Sequence, residues 1–267
     1  MKLKLTLFAF CSLIALACAP KQASVEIIPI QDNVQPRVMA RGLFADAPDN
    51  IMAELGLQDG VPASVSAFLV KVGTGSGRNS EAKNLLFDAA NGAPDSRLLP
   101  VLDSCGVAAE AVDYIFITHM HGDHIGGLVK DGTCVFPNAD IYINEVEFNA
   151  WMQMPQERNG SVRALAQAYG ERIKLFTTDQ PLPCGVEPIE AYGHTPGHTI
   201  YKIGDILIAG DIMHGVALQR VYPQFCARFD MDHAQAVESR KAVLEMARQG
   251  DVKVYGMHFP EPYFIQF

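Results

Sequence analysis

Between positions 118 and 124 the chain reads Thr118-His119-Met120-His121-Gly122-Asp123-His124, a run holding three imidazoles and a carboxylate. These are borderline-to-hard ligands of the kind that suit zinc, iron, manganese and cobalt. The preceding stretch Tyr114 to Thr118 is β-branched and aromatic and reads as a buried strand. Residues i and i+2 at a strand end can point the same way, so His119 and His121 can grip one ion together. Asp123 and His124 follow at the turn toward Gly126-Gly127 and can face a second ion beside it. The bland alternative is a solvated histidine-rich turn, and the density of ligands at a strand terminus argues against it.

Three more places complete a set. His194 lies in the turn-rich run Gly193-His194-Thr195-Pro196-Gly197-His198-Thr199, Asp211 directly follows the apolar Ile206 to Ala209 and Gly210, and His258 comes just after Val252 to Tyr255. Strand ends are where α/β proteins put functional groups. Alone, each residue reads as ordinary surface. Together they supply the missing ligands of a two-metal site.

A THMHGDH run, a distant His, an Asp after an apolar strand and a final His together resemble the signature of the metallo-β-lactamase superfamily. The likeness runs from about Val65 to His258. Within that superfamily ITHMHGDHIGGL, FPNA, GHTPGHT and HFP are similar to the methyl parathion hydrolase-like group and to the quorum-quenching lactonases. The resemblance implies a single α/β domain folded as a four-layer αββα sandwich with the site at one edge. It implies two divalent metal ions, Zn2+ first, with Fe, Mn and Co as alternatives. His119, His121 and His194 would hold the first ion, Asp123, His124 and His258 the second, and Asp211 would bridge both. Asp88, after Leu85-Leu86-Phe87, matches a supporting aspartate rather than a ligand. His198 is expected to brace the His194 loop, and His233 to be surface. His214 either faces the pocket as a proton donor or is a loop histidine without consequence.

The implied reaction is hydrolysis of a lactone or carboxylic ester by a hydroxide shared between the ions, with Asp123 and Asp211 as catalytic residues. Phosphotriester hydrolysis uses the same attack on a neutral electrophile and stands as the alternative. A different class is sulfur or persulfide dioxygenation at a single iron. A non-catalytic module keeping the fold is a third, opposed by the retention of every ligand position. Penicillin cleavage is disfavoured because several such enzymes carry Cys where Asp211 stands. A glyoxalase II-like role is disfavoured by the short stretch after His258. Two clusters, Phe148, Trp151, Met152 and Met154, and Tyr222, Phe225 and Phe229, either wall an apolar pocket or fill a core.

Around these residues the chain alternates strands and helices, which argues for one α/β unit. Strands are expected at Ser24 to Ile30, Val38 to Arg41, Ser64 to Val72, Leu85 to Asp88, Val186 to Ala191, Ile206 to Ala209 and Val252 to Tyr255. Helices are expected at Glu145 to Met154, Ser161 to Gly170 and His233 to Arg248, the last with Asp232 as N-cap and Gln235 three residues on. Gly73-Thr74-Gly75-Ser76-Gly77 leads into a strand rather than a helix, so it reads as a hairpin turn and not a phosphate loop.

The bulk numbers fit this reading. With 267 residues and 49% hydrophobic content there is material for a substantial core. A net charge of −9 repels phosphate backbones, so the expected partner is a small-molecule substrate and not a nucleic acid. A homodimer is compatible with it. Lys2 and Lys4 precede an apolar run, Leu5 to Ala17, that is shorter than the roughly 20 residues a spanning helix needs. It reads as a signal peptide over 1–17, ending either in cleavage after Ala17 or in lipidation of Cys18 as a membrane anchor. Export to the periplasm or outer membrane of a bacterium follows, with a tether over 18–35 and the hydrolase domain over 36–267. Cys105, Cys134, Cys184 and Cys226 form either two disulfides or plain thiols.

Overall fold

In the strand Ser66–Gly73, Ala67 and Leu69 pack to one side while Phe68, Val70 and Val72 pack to the other. Leu86 and Ile115 join the first group; Leu85, Phe87 and Phe116 join the second. Side chains alternate along a strand, so one sheet carries two apolar faces, and both need cover. The computed structural model describes residues 24–73 and 82–267 and shows how they are covered.

Six strands form the first sheet in the order Val25–Gln31, Ser66–Gly73, Ala82–Phe87, Tyr114–Ile117, Asp140–Asn144 and Ile173–Phe176. The first three pair antiparallel and the remaining pairings are parallel. A second sheet of five runs Glu187–Glu190, Thr199–Ile203, Ile206–Ile208, Lys253–Tyr255 and Phe264–Ile265. Phe68, Phe87 and Phe116 of the first sheet meet Tyr201, Ile208 and Tyr255 of the second, forming the core between the sheets. Leu98, Trp151, Leu165 and Tyr169, from the helices Leu98–Ser104, Glu145–Met152 and Gln156–Tyr169, cover the outer face of the first sheet. Val243, Leu244 and Ala247 of the helix His233–Gly250 cover the outer face of the second, against Ile200, Leu207 and Val254. The result is helix, sheet, sheet, helix, the expected four-layer αββα sandwich.

Several expectations shift. Val25–Gln31 is the edge strand of the first sheet, paired over its whole length with Ser66–Gly73. The tether expected over 18–35 is corrected there, because Ile30 is buried in the core. The third helix of the first outer layer starts at Gln156 rather than at Ser161. Its Asn159 is buried and donates to the carbonyls of Trp151, Met152 and Met154, closing the helix before it, and this outweighs the helix-weakening Gly160. The Asp232 cap is present, its carboxylate accepting from the Gln235 backbone N–H. Cys105, Cys134, Cys184 and Cys226 are free thiols. Gly73 stands opposite Ala82 in the antiparallel pair that the glycine-rich segment joins. The signal expected at 1–17, Cys18 and Thr74 to Gly77 lie outside the described residues.

This layering positions the site. Asp88 follows Ala82–Phe87, His119 follows Tyr114–Ile117, Asp211 follows Ile206–Ile208 and His258 follows Lys253–Tyr255. Each of those two strand pairs is parallel, so their carboxyl ends open on one edge of the sandwich.

Candidate metal centre

All seven residues singled out in the sequence converge at that edge. Nε2 of His119, Nδ1 of His121 and Nε2 of His194 form a triangle with sides of 2.9, 3.0 and 3.1 Å. Ligand atoms of Asp123, His124 and His258 form a second group beside it. Asp211 lies between the groups. Its Oδ2 is 3.7 Å from His119 Nε2, 3.5 Å from His194 Nε2 and 3.1 Å from His258 Nε2, while its Oδ1 is 3.2 Å from His124 Nε2.

The far sides of the rings are fixed, which sets the tautomers. His258 Nδ1 donates to the Ser64 carbonyl at 2.8 Å, His194 Nδ1 to Asp230 Oδ1 at 3.0 Å, and His124 Nδ1 to Asp88 Oδ2 at 2.6 Å. His119 Nδ1 lies 3.1 Å from Thr118 Oγ1, which itself donates to Asp88 Oδ2 at 2.7 Å. Asp88 also accepts from the Thr118 backbone N–H, so one carboxylate braces a ring in each group. It adopts a left-handed conformation, φ 56°, which Asp tolerates better than most residues.

Does this arrangement fit metal ions? With protons on the outer nitrogens, Nε2 of His119 and Nε2 of His194 both present lone pairs, yet they sit 3.1 Å apart. Two acceptors so placed repel each other unless a cation lies between them. Nitrogens bonded tetrahedrally at 2.0–2.1 Å to one ion would stand about 3.3 Å apart. His124 Nε2 and Asp211 Oδ1 are buried and complete no hydrogen bond despite their proximity. Buried polar atoms without partners are costly. The donor set and its orphaned atoms therefore fit, and the cluster is able to bind metal ions.

Charge is divided between the groups. Burial, with His124 and His194 nearby, holds His119 well below the ordinary imidazole range. Burial likewise lowers His121 to about 4 and His194 to about 3. For His124 burial acts downward, but Asp211, Asp88 and Asp123 outweigh it and hold the ring well above 6.5. His258 is raised in the same way, burial being overcome by Asp211 and Asp123. Burial alone would raise Asp211, and the surrounding His124, His258, His214 and His119 pull it well below the carboxylate range. A metal must displace bound protons from His124 and His258 and none from the histidine triangle. Affinity for a metal ion at the group of Asp123, His124 and His258 should therefore rise with pH through and above 6.5, while affinity at the triangle stays nearly flat there. Titrations of the metal-stripped chain at pH 6 and pH 8 check this, and equal pH slopes for both ions would contradict it.

His198 Nδ1 donates to the Ala191 carbonyl and its Nε2 accepts from the Asp211 backbone N–H, tying the His194 loop to the Asp211 turn. Gly210 makes room for this: its φ is +51°, and a Cβ there would lie 2.6 Å from His198 Nε2. His214 faces the centre, with Nε2 3.3 Å from Asp211 Oδ2 and its ring stacked on His258. His233 is exposed, as expected.

Sequence reasoning missed two supports. Asp230 holds His194 and is in turn held by Arg240 Nη2 at 3.0 Å. Glu147 is buried among backbone N–H donors of the two ligand loops. Neither sits in a local motif. The pocket wall was also only partly foreseen. A cavity of about 510 Å3 opens over the centre between Arg37, Val38 and Leu43 on one side and Phe229 on the other. Phe148, Trp151, Met152 and Met154 pack into the core beneath the first sheet, and Tyr222 and Phe225 into a smaller cluster around Phe44.

The family model described as Metallo-beta-lactamase superfamily matches residues 61–258, most of the chain. The chain belongs to that superfamily. Among solved structures, the chain is similar to AbOPH, a hydrolase in the beta lactamase superfamily. The two are 27% identical over 93% of each chain, with a TM-score of 0.75. The fold is shared with AidC, a dizinc quorum-quenching lactonase, at 21% identity over 91% of this chain and 90% of that one, with a TM-score of 0.77. Among curated relatives, the hydroxyacylglutathione hydrolase of Shewanella halifaxensis is 32% identical over 40% of this chain and 36% of its own length. That of Shewanella denitrificans is 31% identical over 48% of this chain and 47% of its own. The chain spans less than half the length of these curated relatives. The chain thus joins membership of this superfamily to a buried cluster of histidines and aspartates able to bind metal ions.

Proposed function

We propose that the chain is a dinuclear hydrolase that opens a lactone or cleaves a carboxylic ester. The observation that carries this reading is the place of Asp211, one carboxylate oxygen toward His124 and the other toward His119, His194 and His258. A carboxylate has two oxygens to divide between two cations. In this reading His119, His121 and His194 hold one ion, Asp123, His124 and His258 the other, and Asp211 both, with zinc as the metal. Two such cations lower the pKa of a shared water toward neutrality and polarise the bond under attack.

The residues then have separate tasks. Asp123 is the one carboxylate of the cluster with substantial exposure, 33% of its side chain, and it lines the cavity. It would accept a hydrogen bond from the attacking water and so aim its oxygen. His214 lines the same cavity beside Asp211, where its ring would meet a bound substrate. Val38 and Phe229, both exposed and apolar, offer walls for the uncharged part of an ester or lactone. A cavity of this size suits a small molecule.

A panel of acyl lactones, aryl esters, phosphotriesters, β-lactams and a hydroxyacylglutathione tests the reading on the zinc-loaded protein. Turnover of lactones or aryl esters at least tenfold above the other classes is expected. Preference for phosphotriesters, or for the glutathione thioester named by the curated relatives, would overturn the substrate choice while leaving the metal chemistry intact.

A further inference from the structure

We propose that Glu147 is a positioning residue for the histidine triangle: its carboxylate ties the His119–His121 turn to the His194 loop and so sets the affinity of that triangle for its ion. The proposal rests on the two-ion reading above and adds a residue that lies outside it.

Glu147 stands in the first turn of the helix Glu145–Met152, whose start is capped by Asn144 accepting from the Val146 backbone N–H. Glu145, two residues earlier, is exposed, as an acidic residue in a first turn usually is, but Glu147 is only 1% exposed. Its Oε1 accepts from the Met120 backbone N–H at 2.9 Å and from Trp151 Nε1 at 2.6 Å. Its Oε2 accepts from the Gly197 backbone N–H at 2.8 Å. Met120 separates His119 from His121, and Gly197 lies three residues past His194. One carboxylate thus fixes the backbone beside all three triangle ligands, across sequence separations of 27 and 50 residues. The loop comes so close that a Cβ at Gly197 would lie 2.2 Å from the Glu147 backbone nitrogen. The position accepts no side chain there.

His121 explains why such a tie is needed. His119, His124, His194 and His258 are each held through Nδ1 by Thr118, Asp88, Asp230 or the Ser64 carbonyl. His121 turns Nδ1 toward the triangle instead. Its orientation rests on the neighbouring Met120 backbone and on the Trp151 ring, edge-on to it at 5.3 Å. Glu147 holds both. In the group of Asp123, His124 and His258, Asp88 braces His124 directly and the Ser64 carbonyl braces His258, while Asp88 reaches the triangle through Thr118 and His119.

The two ions should therefore respond separately. The full chain, stripped of metal by a chelator, is titrated with Co2+ while its visible spectrum is recorded. Wild type is expected to bind two ions. Glu147→Ala is expected to bind one with wild-type affinity and the other about 10–100-fold more weakly, the usual cost of losing a support behind the ligands. Glu147→Gln keeps one accepting oxygen and presents an amide N–H to the other loop, so a smaller loss at the same ion is expected. It is nearly isosteric and decides the matter if the alanine variant does not fold by circular dichroism. Asp88→Asn should weaken the other ion more, and the double variant Glu147→Gln with Asp88→Asn should weaken both. Unchanged affinities in folded Glu147 variants, or an equal loss at both ions, would overturn the positioning role alone. A wild-type chain that binds fewer than two ions would overturn the two-ion reading and this role with it.

Discussion

Replacing Asp211 with alanine is expected to lower kcat/KM by at least about a thousandfold, a loss of roughly 4 kcal/mol of transition-state stabilisation. It should also reduce metal content toward zero. The reason is that Asp211 serves both groups at once. In the two-ion reading, removing its carboxylate would leave the three-nitrogen triangle without a fourth protein ligand and would take a negative charge from beside His124 and His258. It also removes the anion that does most to hold His124 and His258 above the ordinary imidazole range, so both rings lose that support in the metal-free chain. Metal quantification alongside turnover checks this. A variant holding two ions with near-normal turnover would show that Asp211 is not the bridge.

Asp230→Asn is expected to cost stability before it costs chemistry. Arg240, 1% exposed, donates to the carbonyls of Ile212, Pro223 and Phe225 and spends its remaining charge on Asp230 Oδ2. Burial alone would raise the Asp230 carboxyl, but the His194 hydrogen bond and the nearby His214 and Arg240 hold it below its ordinary value. Breaking a buried pair by removing one partner typically costs 3–5 kcal/mol. The three carbonyls still solvate the guanidinium here, so a loss of about 3 kcal/mol is expected, or a fall in Tm of roughly 6–12 °C. His194 loses the carboxylate that orients it, and affinity at the triangle should fall about 10–100-fold. A melt within about 1 °C of wild type would contradict the role given to the Asp230–Arg240 pair.

What the sequence made legible follows from how local each signal is. The HxHxDH run, the apolar strands that end at Asp88, His119, Asp211 and His258, and the Asp232 cap are contiguous patterns, and each was readable without the fold. Supports behind the ligands are different. Asp230 and Glu147 earn their roles only when loops 36 and 27 residues apart close on them. Until then one is a loop acid and the other a helix acid. Their one sequence hint is weak: a Glu four residues before the sole Trp, which the indole N–H reaches. The strand Asp140–Asn144 was overlooked for a related reason. It is short and opens with an acid, although Ile141 and Ile143 alternate as a half-covered strand should. The wall of the cavity at Arg37, Val38 and Leu43 comes from a segment whose register against Val61–Ala63 is set by tertiary packing around Phe44 and Met52. Phe229 was named alongside six other large side chains, and burial, which periodicity did not resolve there, separates it from them.

Anomalous scattering from a crystal of the zinc-loaded protein puts the central idea to its sharpest test. Two peaks per chain are expected, about 3.5–4 Å apart. One should lie within bonding distance of His119, His121 and His194, the other of Asp123, His124 and His258, with the Asp211 carboxylate reaching both. A single peak, or zinc bound only away from these residues, would contradict it.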